Sequence, residues 1–428
     1  MQTGQNLNNH QIVIKIIIII SGIYALLSHF HSLIRNMIIE PNFFDFACYY
    51  VWGDLLNKGI DIFHFERISQ KTIDYLSTSA GLSLPNLSGK TYLSFIGGVN
   101  YSPAFISIMS LFSRMSFETS VIIWTILNYV ALIASVLIIL SALDIKLNTI
   151  TLSIYSFLVF SLNPILECTA IGQSNIFILF FLSLFLWYGK KEKPYLASFF
   201  LSIIIQIKPQ YGIIALLFLT KRMYKPFVST FMFYCLISLV FLPVVEIDSY
   251  VAYYRNLLPF VSSSDITIWL NNLSLRSSAL RLFGENAILM TQWIYILFTI
   301  ALLLYIFKQL TISHKGTLLP TEVAIVTALA LFLPPFLEEH HLAFLVLPII
   351  VIFNGLQSLT RFWQLAFIAG YLLVALKYSL ARFSTFSSGF PSLLYNGKLY
   401  GLILIGIVAF IYWKKMQIQL AEPNRSYQ

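Results

Sequence analysis

Apolar residues fill this chain in blocks rather than in stripes. Residues 12–33 form one long, mostly apolar run after a polar, nearly uncharged start. Roughly 20 such residues let a helix cross a bilayer. The run is too long for a signal peptide and no small-residue cleavage site follows, so it predicts a first transmembrane helix entering from the cytoplasm. Residues 35–100 are the one long polar stretch of the first half. They hold six of the eighteen acidic residues: Glu40, Asp45, Asp54, Asp61, Glu66 and Asp74. Within them Phe46, Tyr49, Tyr50 and Leu55, then Phe63, Ile68, Ile73 and Tyr75, recur at helical spacing. Two amphipathic helices on the membrane surface are expected, with Gly59 as the break between them.

Beyond residue 100 the apolar runs come fast, at 102–112, 121–143, 149–162, 176–188, 195–207, 212–219, 227–245, 288–307, 323–336, 342–353, 362–376 and 399–413. Several are shorter than a full crossing. Irregular backbone at membrane depth is tolerated where it lines a cavity inside the protein, so short, proline-interrupted helices imply an intramembrane cleft. The expected fold class is an all-α polytopic membrane protein, a bundle of about 11–13 transmembrane helices. Its expected parts are a cytoplasmic tail and first span (1–34), an external loop with amphipathic helices (35–100) and a multi-span bundle (101–428) with outer loops at 246–287, 338–341 and 379–397.

Composition sharpens this. Of 428 residues 58% are hydrophobic and 11% charged, and mean hydropathy is +0.79; soluble domains carry about 25% charged residues. A soluble globular enzyme and a disordered chain are both excluded. The net charge of +9 would suggest nucleic acid in a soluble protein. Here it reads as basic cytoplasmic loops, and no nucleic-acid partner is expected. Lys190, Lys191 and Lys193, Lys221, Arg222 and Lys225, Lys308 and Lys315, Arg361, and Lys414 with Lys415 mark that side. Four apolar runs lie between the first outer loop and Lys190 where an odd number is required, so 102–112 is expected to dip into the membrane and return. The three cysteines show no metal spacing.

Candidate chemistry lies at a few polar points. Asp45 stands about a dozen residues past the first span, among Phe43, Phe44, Phe46 and Tyr49. It is either a partly desolvated general base or the N-cap of the following helix. Lys208, before Pro209 in an apolar hairpin, is either an anion-binding cation at membrane depth or a snorkelling lysine. Gly172-Gln173-Ser174-Asn175 breaks an apolar run, as sugar-binding amides or as a helix cap. Asn272, Ser274, Arg276 and Arg281 lie in the outer loop, and guanidinium suits phosphate. Glu338-Glu339-His340-His341 separates two runs; an adjacent His pair is a weak metal signal, and substrate or proton handling is as open. No phosphate-binding glycine loop or nucleotide fingerprint is present, and no cofactor is expected.

Taken in order, these stretches resemble integral-membrane glycosyltransferases of the GT-C type, and more narrowly glycosyltransferase family 87, the polyprenyl-phosphate-mannose-dependent mannosyltransferases and relatives. The resemblance covers about residues 40–350. It rests on Asp45-Phe46 with Tyr49-Tyr50, Leu55-Leu56-Asn57-Lys58-Gly59, Tyr101-Ser102-Pro103, Gly172 to Asn175, Lys208-Pro209, Asn272-Leu273-Ser274 with Arg276 and Arg281, and Glu339-His340-His341. The chain departs from the family at Ala104, where a second proline is frequent, and at Leu337-Glu338-Glu339, where an aromatic–Asp pair is frequent.

The resemblance implies a polyprenyl-phosphate sugar donor, possessing a membrane-embedded tail, a glycolipid or glycan acceptor, and inverting transfer at the outer face of a bacterial inner membrane. It maps the base to Asp45 and a functional histidine to His340 or His341. Lys208, Arg276 and Arg281 would then meet the donor phosphate. Tyr49, Tyr50, Tyr101, Gln173, Asn175, Asn272 and Ser274 would line the substrates, and no metal is expected. A flippase of lipid-linked sugars and a polysaccharide polymerase or ligase are the rival readings.

Overall fold

The computed structural model describes residues 9–38, 43–60, 62–64, 101–262, 271–312, 316–377 and 388–421. Helix dominates and no strand occurs among them, as expected of a chain whose backbone polar groups must be satisfied within lipid. The protein is an all-α polytopic membrane protein. Among the described residues five helices suffice, by length and composition, to cross a membrane: 11–35 within α1 (Asn9–Ile38), 117–142, 288–310, 339–358 and 397–420. One bent pair and seven shorter apolar helices accompany them.

The helix that follows α1, α2 (Phe44–Asn57), does not lie on the surface as an amphipathic helix. Phe46 through Gly53 and Leu55 are all buried. Its partner is α3 (Pro103–Phe112), which starts at a serine cap, the Ser102 hydroxyl accepting from Phe105 N–H at 3.3 Å. Ten residues of α-helix rise only about 15 Å, so α3 is no full crossing. The second expected amphipathic segment, 63–75, falls almost wholly outside the described residues.

Three helical stretches then lie between α3 and Lys190: α4 (Phe117–Ala142), long enough to cross a membrane, the pair α5 (Thr149–Phe160) and α6 (Asn163–Ala170) bent by 66°, and the shorter α7 (Asn175–Lys190). Lys190 Nζ donates to Ala142 O and Asp144 Oδ2, both at 2.5 Å, so α4 and α7 end together. Helix α1 packs on α5, where Gly22 meets the Ser153 backbone; a Cβ there would stand 2.5 Å from Ser153 O. Small residues permit such approach where lipid supplies no hydrophobic drive.

Helix α8 (Pro194–Ile207) packs on α7 and on α10 (Tyr224–Val240). Between them the chain returns as a 3₁₀ segment, Pro209–Ala215, continued by α9 (Leu216–Thr220). Next come α11 (Ile247–Ser262), α12 (Leu275–Phe283), α13 (Ile288–Leu310) and α14 (Pro320–Phe332). A second 3₁₀ segment, Glu339–Leu345, opens α15 (Val346–Gly355), and α16 (Arg361–Ala375), the short α17 (Ser392–Tyr395) and α18 (Gly397–Ala421) complete the chain. Helix α18 packs on α14 and α16.

Lys221 departs from the loop role its basic neighbours suggest. Its Nζ meets Glu322 Oε1 at 2.5 Å with both side chains fully buried, and Glu322 also accepts from Trp413 Nε1 and Leu319 N–H. The pair ties the turn after α9 to α14 and α18. Cys48 and Cys168 are buried, whereas Cys235 is exposed on α10.

Candidate active site

Asp45 is not the N-cap of α2. Phe43 holds that position without a side-chain bond, and Asp45 lies in the first turn, where the helix dipole favours a carboxylate. Its N–H and that of Phe46 both donate to Ile171 O, at 3.1 and 3.2 Å, docking the start of α2 onto the turn between α6 and α7. Gly172 makes this docking possible: its φ is +71°, and a Cβ would fall 2.5 Å from Phe46 Cβ.

Gln173 is the hub. Its Oε1 accepts from the Tyr49 and Tyr101 hydroxyls at 2.6 Å each and from Ser174 N–H at 2.9 Å. Those donors fix the amide's orientation, which turns Nε2 toward Asp45 Oδ2 at 3.0 Å and His340 Nε2 at 3.3 Å. The other Asp45 oxygen has no hydrogen-bond partner among the described residues. Burial pushes the Asp45 carboxyl up to about 6, against the opposing influence of a charged Lys208 and of the Gln173 bond. Ionisation therefore leaves a base of useful strength near neutrality.

The 3₁₀ segment after Glu338 supplies the opposite wall. At three residues per turn its successive side chains diverge by about 120°, so Glu339, His340 and His341 reach three different neighbours. Glu339 Oε1 takes Lys398 Nζ at 2.5 Å and the Asn163 amide. His340 Nε2 lies 3.3 Å from Glu338 Oε2, and its carbonyl accepts from Asn175 Nδ2 at 3.1 Å. His341 Nδ1 accepts from Glu338 N–H at 3.2 Å, and its Nε2 lies 2.9 Å from Lys208 Nζ. Lys208, where α8 gives way to 3₁₀ backbone, is buried with its Nζ over the Tyr101 ring at 5.4 Å. Burial, then Asp45, drives the Glu338 carboxyl well above its ordinary value, with Lys208 opposing.

Asp45, Tyr49, Tyr101, Gln173, Asn175, Lys208, His340 and His341 thus share one polar centre. Other candidates have different surroundings. The Tyr50 hydroxyl donates to Met115 O at 2.7 Å, at the α3–α4 turn. Asn272 Oδ1 accepts from Ser274 N–H and Leu337 N–H, its Nδ2 donates to Pro335 O, and the Ser274 hydroxyl donates to Pro335 O at 2.7 Å. These residues clamp the segment leading into Glu338. Arg281 donates to Asn272 O and Ser277 Oγ through Nη1 and to Asn396 Oδ1 through Nη2, and stacks on Tyr395. Arg276 is buried on the same helix.

Glu167 and Lys398, to which the sequence reading gave no role, border this centre. Lys398 also donates to Val374 O and Leu376 O. A carboxylate and a lysine at the edges of apolar runs were the signals available. Glu338, His340 and His341 offer three donor atoms within 4.8 Å of one another. Both ring nitrogens of His341 are already engaged, and a cation at its Nε2 would have to displace Lys208.

A family model for glycosyltransferase family 87 matches residues 100–337. No curated protein and no solved structure matches the chain. The matched region contains Tyr101, Gln173, Asn175, Lys208, Asn272, Arg276 and Arg281, ends one residue before Glu338 and begins after Asp45. It spans more than half of the chain, which therefore belongs to glycosyltransferase family 87 and is a membrane glycosyltransferase.

Proposed function

We propose that the enzyme transfers one sugar, mannose being the one that family resemblance implies, from a polyprenyl-phosphate donor to a hydroxyl of a glycolipid or glycan. Transfer takes place at the external face and inverts the anomeric carbon. The observation that carries this reading is the pairing of a half-satisfied, half-buried Asp45 with a buried Lys208 in one centre. Asp45 accepts the acceptor's proton while the acceptor oxygen attacks the anomeric carbon. The bond from that carbon to the phosphate oxygen breaks, and the electron pair leaves on polyprenyl phosphate. Lys208 offsets the phosphate charge. Gln173 holds the base in place, and Asn272 and Ser274 hold the loop that carries His340 and His341.

A lipid donor is further supported by an apolar groove of about 450 Å³ between α13, α14 and α18, lined by Leu275, Phe298, Leu302, Phe332 and Phe410 among others. Leu275 of its lining precedes Arg276 in the chain, a second cation suited to the phosphate. The test is transfer from purified polyprenyl-phosphate mannose to a panel of glycolipid acceptors in detergent, read by product mass. No product with any acceptor, together with movement of lipid-linked sugar across vesicles, would replace the enzyme reading by the flippase one. Products formed only from a diphosphate-linked oligosaccharide would favour a polymerase.

A further inference from the structure

The Lys208–His341 contact has a proton inventory that hydrogen-bond chemistry resolves. The backbone N–H of Glu338 has a proton to give and none to receive, so His341 Nδ1, 3.2 Å away, accepts. A neutral imidazole with an unprotonated Nδ1 carries its proton on Nε2. That Nε2–H faces Lys208 Nζ at 2.9 Å. An ammonium group has three donors and no acceptor, so it would oppose one donor to another. An uncharged amine has the lone pair that the contact requires.

Among the described residues the remaining surroundings of Nζ offer a cation one aromatic face, that of Tyr101, and no anion in contact. Among the described residues no carboxylate oxygen lies within 4.0 Å of it. Asp45 from α2 and Glu338 from the loop act on it from farther away, with Cys168 from α6. His341 from the 3₁₀ segment and the face of the Tyr101 ring complete the near shell, and His340 feels Lys208 from farther away. The side chain itself is 3% exposed, and burial disfavours an unpaired charge.

We infer that in the donor-free enzyme at mildly alkaline pH Lys208 stands as an uncharged amine, accepting from His341 Nε2–H, and that it takes up one proton from solvent when the donor phosphate enters. His341 is then a positioning residue acting through Lys208: it holds the amine aimed and discharged until an anion arrives. The inference rests on the reading that Lys208 meets the donor phosphate. Donor binding is thereby linked to a proton, and the donor is a phosphodiester with no group of its own titrating near neutrality.

The experiment is calorimetric titration of the full-length protein in detergent with a short-chain polyprenyl-phosphate mannose, at pH 8.5, in buffers of differing ionisation enthalpy. The expected result is uptake of close to one proton per donor bound. Affinity should also weaken toward tenfold per pH unit above neutrality, the limit set by linkage to one proton. Asp45→Asn should retain the uptake, which separates it from titration of the base. Lys208→Arg keeps a permanent cation that cannot discharge, and should bind with no uptake and a flat pH dependence. Intact wild-type binding with no proton uptake overturns the inference by itself, whether or not any variant folds. Unchanged donor affinity in Lys208→Gln overturns instead the reading that this residue meets the phosphate.

Discussion

Replacing Asp45 by Asn separates chemistry from architecture. Asn keeps the size of the side chain, and its Oδ1 can still accept from Gln173 Nε2, so the hub on Gln173 stays assembled. It cannot take a proton from an acceptor hydroxyl. Loss of a general base costs about 10²–10⁴-fold in rate, and kcat should fall by that much while donor affinity is retained. The same change should leave the fold no less stable. A carboxyl with an ordinary value of 3.8, held at about 6 by burial, binds its proton more tightly folded than unfolded. Its ionisation in the fold therefore costs stability as pH rises from about 4 to 6, and above that the cost amounts to about 3 kcal/mol. Asn has no charge to bury, so the variant should unfold later than wild type at pH 7.5, by up to that amount. Turnover is measured with a polyprenyl-phosphate mannose donor, and stability by thermal melting in the same detergent. Asp54→Asn is the control, because Asp54 pairs with Lys58 at the exposed end of α2. Near-normal turnover in Asp45→Asn, or equal losses in both variants, would refute the assignment of the base. Lost activity with lowered stability would place Asp45 among the structural residues.

Other outcomes follow from the same geometry. The acid limb of kcat/KM should be single, with a midpoint at or above about 6, falling tenfold per pH unit below it; an activity flat down to pH 4.5 contradicts a raised Asp45. Glu322→Ala removes the carboxylate that Lys221 meets in the interior and should cost about 3–5 kcal/mol, whereas Lys225→Ala in the nearby basic turn should leave melting unchanged. Asn272→Ala removes the clamp on the chain entering Glu338, and should lower turnover more than Ser358→Ala does; matched values would detach Asn272 from the site. An impermeant thiol reagent on intact cells should label Lys58→Cys but not Lys193→Cys, in a background lacking the native cysteines. The reverse pattern inverts the proposed orientation. Thorough chelation should leave turnover unchanged, and loss restored by a divalent cation would make Glu338, His340 and His341 its ligands.

How much was legible beforehand differs between levels, for physical reasons. Apolar blocks of near-bilayer length can be satisfied only by helices in lipid, so an all-α polytopic fold followed from local composition alone. The polar interruptions were equally visible, because a carboxylate or a lysine in an apolar run is expensive wherever it ends up. What each interruption does depended on partners far away in sequence. Asp45 meets Gln173 across 128 positions and Lys208 meets His341 across 133, and no periodicity encodes such pairings. Asn272, Ser274 and Arg281 had the residue types of a substrate site, but folding turned their polar atoms onto backbone and amide neighbours. Tyr50, next to Tyr49, was rotated away by the helix and bonded to Met115 instead. Lys221 read as one more basic loop residue until tertiary packing brought Glu322 against it. Local sequence thus determined where charge and helix would be; only the packed chain decided which charges meet a partner and which polar side chains gather in one centre.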